Sequence, residues 1–181
     1  MAQHGLWDSY AWHQAIWDIF PGREHKKRDF LFRLDSMRNN TRLLLLSPVP
    51  PILPEWGEGS TKKISSAFLG HNAYQFQLKA NPVKRLRETG KRVGIYCEEE
   101  LVNWIHRKGE TGGFEIFQEY LNVSPPMAEY FNRNGRKGKH ISVDFSGVLQ
   151  VRNPQHFENA FYNGIGPAKA FGFGMLMLQP I

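Results

Sequence analysis

Residues 128–151, AEYFNRNGRKGKHISVDFSGVLQV, read as a β-hairpin with a basic tip and a long second strand. Outward from this hairpin the elements alternate. Downstream, NPQHFENAFYNG (153–164) is a helix with an Asn cap and a Gly stop, and AFGFGMLMLQPI (170–181) closes as a strand. Upstream, FEIFQEYLNV (114–123) is a strand. EEELVNWIHRKGETGG (98–113) is a helix with acidic residues at its start and basic ones at its end, as the helix dipole prefers. KRVGIYC (91–97) is a further strand, so the second half reads β-α-β-β-α-β.

The first half reads the same way without its opening strand. DSYAWHQAIWDIF (8–20) is a helix that Asp8 or Ser9 can cap and Pro21-Gly22 stops. Trp12, Ala15, Ile16, Ile19 and Phe20 form one apolar arc, with Tyr10, His13 and Trp17 just beyond its edge. HKKRDFLFRLD and NNTRLLLLS each end in a β-rich run, separated by the turn SMRNN. The stretch SPVPPILPEWGEG is too proline-rich for a regular element. A short helix is expected around Lys62 to Phe68, and the alternation in AYQFQLKAN predicts a strand. NPVKRLRETG reads as a linker. Two similar halves indicate a tandem duplication, with units at 1–82 and 90–181.

Bulk composition agrees with two small units or one medium one: 181 residues, 41% of them hydrophobic. The formal charge of +6 favours polyanionic partners, nucleic acid above all, although many basic proteins bind nothing anionic. Cys97 is the only cysteine, which excludes a disulfide framework and a Cys-rich zinc site and fits a reducing compartment. No apolar run approaches the length of a membrane span, so no membrane partner is expected.

The ending YNGIGPAKAFGFGMLMLQPI (162–181) sets Gly164, Gly166, Gly172 and Gly174 around Lys169. A dinucleotide fingerprint must follow a strand and open a helix; these glycines do the reverse. A phosphate-binding P-loop needs Ser or Thr after the lysine, and Ala170 stands there. Two readings stay open. A helix stop, a turn and close packing account for Gly164 and Gly166, and less well for Gly172 and Gly174. A loop whose N–H groups approach phosphate oxygens accounts for all four. The hairpin tip carries Arg133, Arg136, Lys137, Lys139 and His140 with no carboxylate among them. It is either a solvated turn or a phosphate site. KANPVKRLRETGKR is a second basic run, for which linker solvation suffices.

Metal-ligand spacings and a serine nucleophile elbow are absent. Of the seven histidines, His13 stands out: it lies one turn from Tyr10 at the border of a buried arc, and imidazole exchanges protons near neutrality. A histidine so placed is either a partly buried surface residue or a proton-transfer group.

Taken together, YAWHQAIWDIFP, RDFLFRLD, LKANPVKRLRETGKRV, FSGVLQV and GIGPAKAFGFGMLMLQPI resemble, in order, the CRISPR-associated endoribonucleases of the Cascade effector, the CasE family of type I-E systems. The resemblance implies an α+β fold of two tandem ferredoxin-like (RRM-like) domains. It implies metal-independent cleavage of precursor CRISPR RNA at the repeat stem-loop by attack of the 2′-hydroxyl, without a cofactor. The enzyme would then stay on the mature guide RNA beside other Cascade subunits in the cytoplasm. By the same resemblance His13 transfers the proton, as base or acid. Tyr10 orients the 2′-hydroxyl or bonds the phosphate, and Lys139 steadies the pentacovalent charge. The basic tip and the glycine turn around Lys169 would hold RNA. Family members open with a strand ahead of the histidine-bearing helix. Only seven residues precede Asp8 here, so the first domain is expected to lack that strand, as in a chain truncated at its amino end. Two rival readings remain: a non-catalytic RNA-binding subunit of such a complex, and a basic module with a protein partner.

Overall fold

Trp12, Ala15, Ile16, Ile19 and Phe20 recur at the spacing of one helix face, and all five are buried. They lie on and just beyond helix α1, Ser9–Asp18, in a computed structural model that describes residues 9–21, 28–38, 40–133 and 135–181. The expected cap at Asp8, the stop at Gly22 and the question of an opening strand fall outside the described residues. The apolar face of α1 packs on Phe30 and Phe32, with Leu34, Leu43 and Leu45 at its margin. Each large side chain so buried contributes about 1.5–3 kcal/mol. The proline-rich segment folds back over the end of α1. The Ile52 N–H donates to the Ile19 carbonyl at 3.0 Å, and Trp56 meets Trp12 edge-on at 5.6 Å.

Strands β1, Leu31–Ser36, and β2, Thr41–Leu46, pair antiparallel, with Leu31 opposite Leu46. Because side chains alternate across a strand, β1 serves two cores. Phe30, Phe32 and Leu34 face α1, whereas Leu31 and Leu46 join the core of the second unit. The expected helix at Lys62 to Phe68 reduces to a 3₁₀ turn at Ser66–Leu69.

The second unit is built on β3, Ala73–Ala80; α2, Glu98–Thr111; β6, Phe114–Ile116; β9, Arg136–Val151; α3, Pro154–Asn163; and β10, Leu176–Pro180. Its sheet runs β10-β3-β9-β6, all antiparallel, which is the ferredoxin-like order for a β-α-β-β-α-β chain. The strand AYQFQLKAN, given to the unit at 1–82 in the sequence reading, is hydrogen-bonded between β9 and β10. Tyr74, Phe76, Leu78 and Ala80 are buried on one face because the strand is central, bonded to β10 on one edge and β9 on the other. KRVGIYC is not the opening strand either. It supplies only β5, Arg92–Gly94, which closes a small hairpin with β4, Val83–Arg85, where a linker was expected. Of its side chains only Ile95 is buried, so it has no two-sided core to fill.

FEIFQEYLNV breaks into β6, a 3₁₀ turn at Gln118–Tyr120 and β7, Asn122–Val123, both strands on the edge of β9. The turn crosses over Gly147, where a Cβ would stand 2.7 Å from the Tyr120 carbonyl oxygen. β8, Met127–Arg133, pairs with the first part of β9 as the expected hairpin, Arg133 opposite Arg136. The helix caps also match: the Asn153 side chain accepts from the His156 N–H at 3.0 Å, and Gly164 follows α3 at φ 73°.

Candidate functional site

His13 sits half-buried at the edge of the arc of α1, with Tyr10 one turn before it, as the helical spacing requires. One turn later Trp17 donates its indole N–H to His13 Nε2 at 3.2 Å. The Phe30 ring lies 6.2 Å from the imidazole and 5.1 Å from the indole, so the histidine is walled by aromatics. With Nε2 accepting, the neutral ring carries its proton on Nδ1.

Helix α1 packs directly on the 3₁₀ turn Lys169–Phe171 and on β8 of the basic hairpin. β1 touches the same turn. The glycine-rich ending thus joins the helix bearing His13 to the second unit. All four of its glycines have φ between 73° and 87°. At Gly172 a Cβ would lie 3.1 Å from the Phe32 ring; at Gly174 it would lie 2.5 Å from the Ile165 carbonyl oxygen. The Gly174 N–H donates to the Lys79 carbonyl at 2.8 Å, and the Gly164 N–H to Ala160 at 2.9 Å. Those two amides are spent within the fold, and left-handed backbone with close packing accounts for glycine at all four positions. Ala168 shares the conformation at φ 62°, strained backbone immediately before Lys169.

Lys169 is half-buried, and its ammonium pKa is pushed down by burial first and then by Arg28 and Lys108. Arg28 donates to the Phe30 carbonyl, which places its charge beside the ring that faces His13. Neither Arg28 nor the walling role of Phe30 stood out in the sequence. Lys108 sits with its ammonium 5.6 Å over the Trp104 ring.

Strand alternation sorts the basic tip into two faces. His140 turns inward: it stacks on Phe131 at 4.6 Å, meets Phe171 at 4.6 Å and Phe173 at 5.6 Å, and is not a displayed cation. Burial among these rings pushes its pKa down, against an upward pull from Glu129. Asn81, buried, bonds His140 Nδ1 through its amide at 3.2 Å and accepts the Ile141 N–H at 3.0 Å. This asparagine, from the basic run read as solvated, pins the root of the hairpin. Lys139 points to the opposite face, its ammonium 6.0 Å over the Tyr96 ring and its strand partner Tyr130 73% exposed. Lys137 is exposed, two residues along on the same face. Arg133 and Arg136 are placed by their backbones at the tip. The structure thus packs α1, the helix that carries His13 and Tyr10, on the Lys169 turn and on β8, and it groups Lys139 with two tyrosines. The sequence alone does not single out those tyrosines; alternation along β8 is the signal that places Tyr130 beside Lys139.

Among the described residues, no helix is long and apolar enough to cross a membrane. A family model described as CRISPR associated protein matches residues 2–180. The CRISPR system Cascade subunit CasE of Escherichia coli K12 is 30% identical over 188 aligned residues, covering 96% of this chain and 93% of that protein. Among solved structures, CRISPR endoribonuclease Cse3 bound to a 19-nucleotide RNA superposes with TM-score 0.86 at 27% identity, over 99% of this chain and 93% of the other. Thermus thermophilus Cse3, bound to an RNA representing a pre-cleavage complex, superposes with TM-score 0.75 at 26% identity, over 96% and 89%.

Proposed function

The chain belongs to the CasE family of CRISPR-associated proteins, and from that premise we propose that it is an endoribonuclease cutting precursor CRISPR RNA at the repeat stem-loop. The observation that carries the reading is the packing of α1, with His13 and Tyr10, onto the Lys169 turn and β8. A helix that carries an imidazole and a phenol is thereby set against a turn that carries a cation, in a basic protein.

The 2′-oxygen attacks the adjacent phosphorus in line. The P–O5′ bond breaks, leaving a 2′,3′-cyclic phosphate on one product and a 5′-hydroxyl on the other. The 2′-hydroxyl loses one proton and the departing 5′-oxygen gains one; His13 carries one of these transfers. Tyr10 bonds the phosphate or the attacking hydroxyl. Such a reaction needs positioning, one proton carrier and one cation, and runs without a metal. The exposed face with Lys137, Lys139, Tyr96 and Tyr130 suits the RNA stem, whose A-form shape is read through phosphates and sugars. The cut hairpin stays bound and the protein serves as a Cascade subunit in the cytoplasm.

The direct test replaces the attacking 2′-hydroxyl of the repeat RNA with hydrogen. Cleavage by the wild type should vanish while binding stays within about twofold. Continued cleavage of the deoxy substrate would contradict the mechanism.

A further inference from the structure

On the helix side of the second unit, away from the outward face of the hairpin, a cleft of about 700 Å³ opens between α2, α3 and the glycine-rich turn. Arg92, Lys108 and Lys169 line it together with His156, Asn159 and Asn163, and among the described residues no carboxylate does. Cations gathered without counter-charge repel one another; burial foremost, then Arg28 and last Lys108, disfavours the charged form of Lys169. Such a group is stabilised by a polyanion. The volume suits a short single strand and not a duplex. The amides of Asn159 and Asn163 and the ring of His156 add groups able to bond bases or sugars.

Lys169 is the link between the cleft and α1. Lys169 stands in both: its turn packs on α1, and Arg28 acts on its charge from beside Phe30, whose ring faces His13. A strand bound at α1 and passing over the Lys169 turn would reach the cleft.

We propose that this cleft binds the single-stranded RNA flanking the repeat hairpin. The proposal rests on the endoribonuclease reading for its substrate and adds a separate site for the strand outside the stem. Arg92 comes from the basic run that the sequence alone leaves to solvation, and β5 turns it toward α2 and α3.

The test compares two RNAs, the repeat stem-loop alone and the same stem-loop with an eight-nucleotide single-stranded flank. Each carries hydrogen in place of the attacking 2′-hydroxyl, so that it stays whole, and is titrated into the wild type and into Arg92→Gln/Lys108→Gln, with a fluorescent oligouridylate as a third probe. The wild type should bind the flanked RNA tenfold or more tighter than the bare stem-loop, and the double variant should lose that advantage. Its affinity for the bare stem-loop should change less than twofold. The log–log salt dependence for oligouridylate should become shallower by about 1.4, two contacts at about 0.7 each. Arg92→Lys/Lys108→Arg keeps the charges and should retain the flank advantage, which separates the effect from misfolding; Lys63→Gln, an exposed cation elsewhere, should change nothing. No flank preference in the wild type, or an equal loss for both RNAs in the Gln variant, overturns the proposal, the first outcome pointing to an acidic protein partner instead. Oligouridylate bound through the cleft by a protein that leaves the stem-loop uncut would sink the endoribonuclease reading and spare this site.

Discussion

Trp17 donates its indole N–H to Nε2 of His13 at 3.2 Å, across one turn of the same helix. A neutral hydrogen bond of this kind nets about 1 kcal/mol, a bias of roughly fivefold for the Nδ1–H tautomer. The bond and the Phe30 ring hold the imidazole at a set angle on the edge of α1.

Trp17→Phe keeps the aromatic wall and removes the donor. The single-turnover cleavage rate at saturating RNA should fall about tenfold, because misorientation of a proton carrier costs rate, while Kd stays within twofold. An unchanged rate would mean that Trp17 is packing only.

Lys139 tests the two faces of the hairpin. Its ammonium lies over Tyr96, on the side opposite His140, which meets the turn that packs on α1. Lys139→Ala should weaken repeat RNA binding about tenfold and leave the saturated rate within about threefold. Loss of a group at the scissile phosphate typically lowers the rate by about 10²–10³. A fall of that size at saturation would put Lys139 at the reacting phosphate, as the family resemblance implies.

His140 predicts a pH dependence of stability. Its folded pKa is lowered from 6.5, by burial foremost, so the folded chain holds it neutral where the unfolded chain would protonate it. Its contribution is complete above about pH 6.5 and declines as pH falls toward and through the lowered folded value. In thermal melts from pH 7.5 to pH 5, the wild type should lose more stability than His140→Gln, which leaves an acceptor for Asn81. Parallel curves would show that the ring titrates normally.

What was legible in the sequence follows from where the information sits. The arc of α1 and the edge position of His13 are periodic features of one short segment, and the structure reproduces them. The pairing of β3 with β9 and β10 is not local. Alternation marks AYQFQLKAN as a strand, but its neighbours lie about 70 and 100 residues further on, and register across such separations is set by which faces find a core. A tally of basic residues groups His140 with the cations because it ignores alternation; Lys139 and His140, adjacent in sequence, face opposite ways. The glycines were recognisable as a turn. Their cause needed the third dimension, since Phe32 and the Ile165 carbonyl, which crowd Gly172 and Gly174, are brought there by the fold.

The proposed reaction requires His13 to move a proton during strand cleavage. Labelled repeat RNA incubated in EDTA with the wild type and with His13→Ala tests it most directly. The wild type should give a cyclic-phosphate product, and the alanine variant should lose at least about 10²-fold in rate while its affinity for repeat RNA stays within about twofold. Cleavage by His13→Ala at the wild-type rate would contradict it.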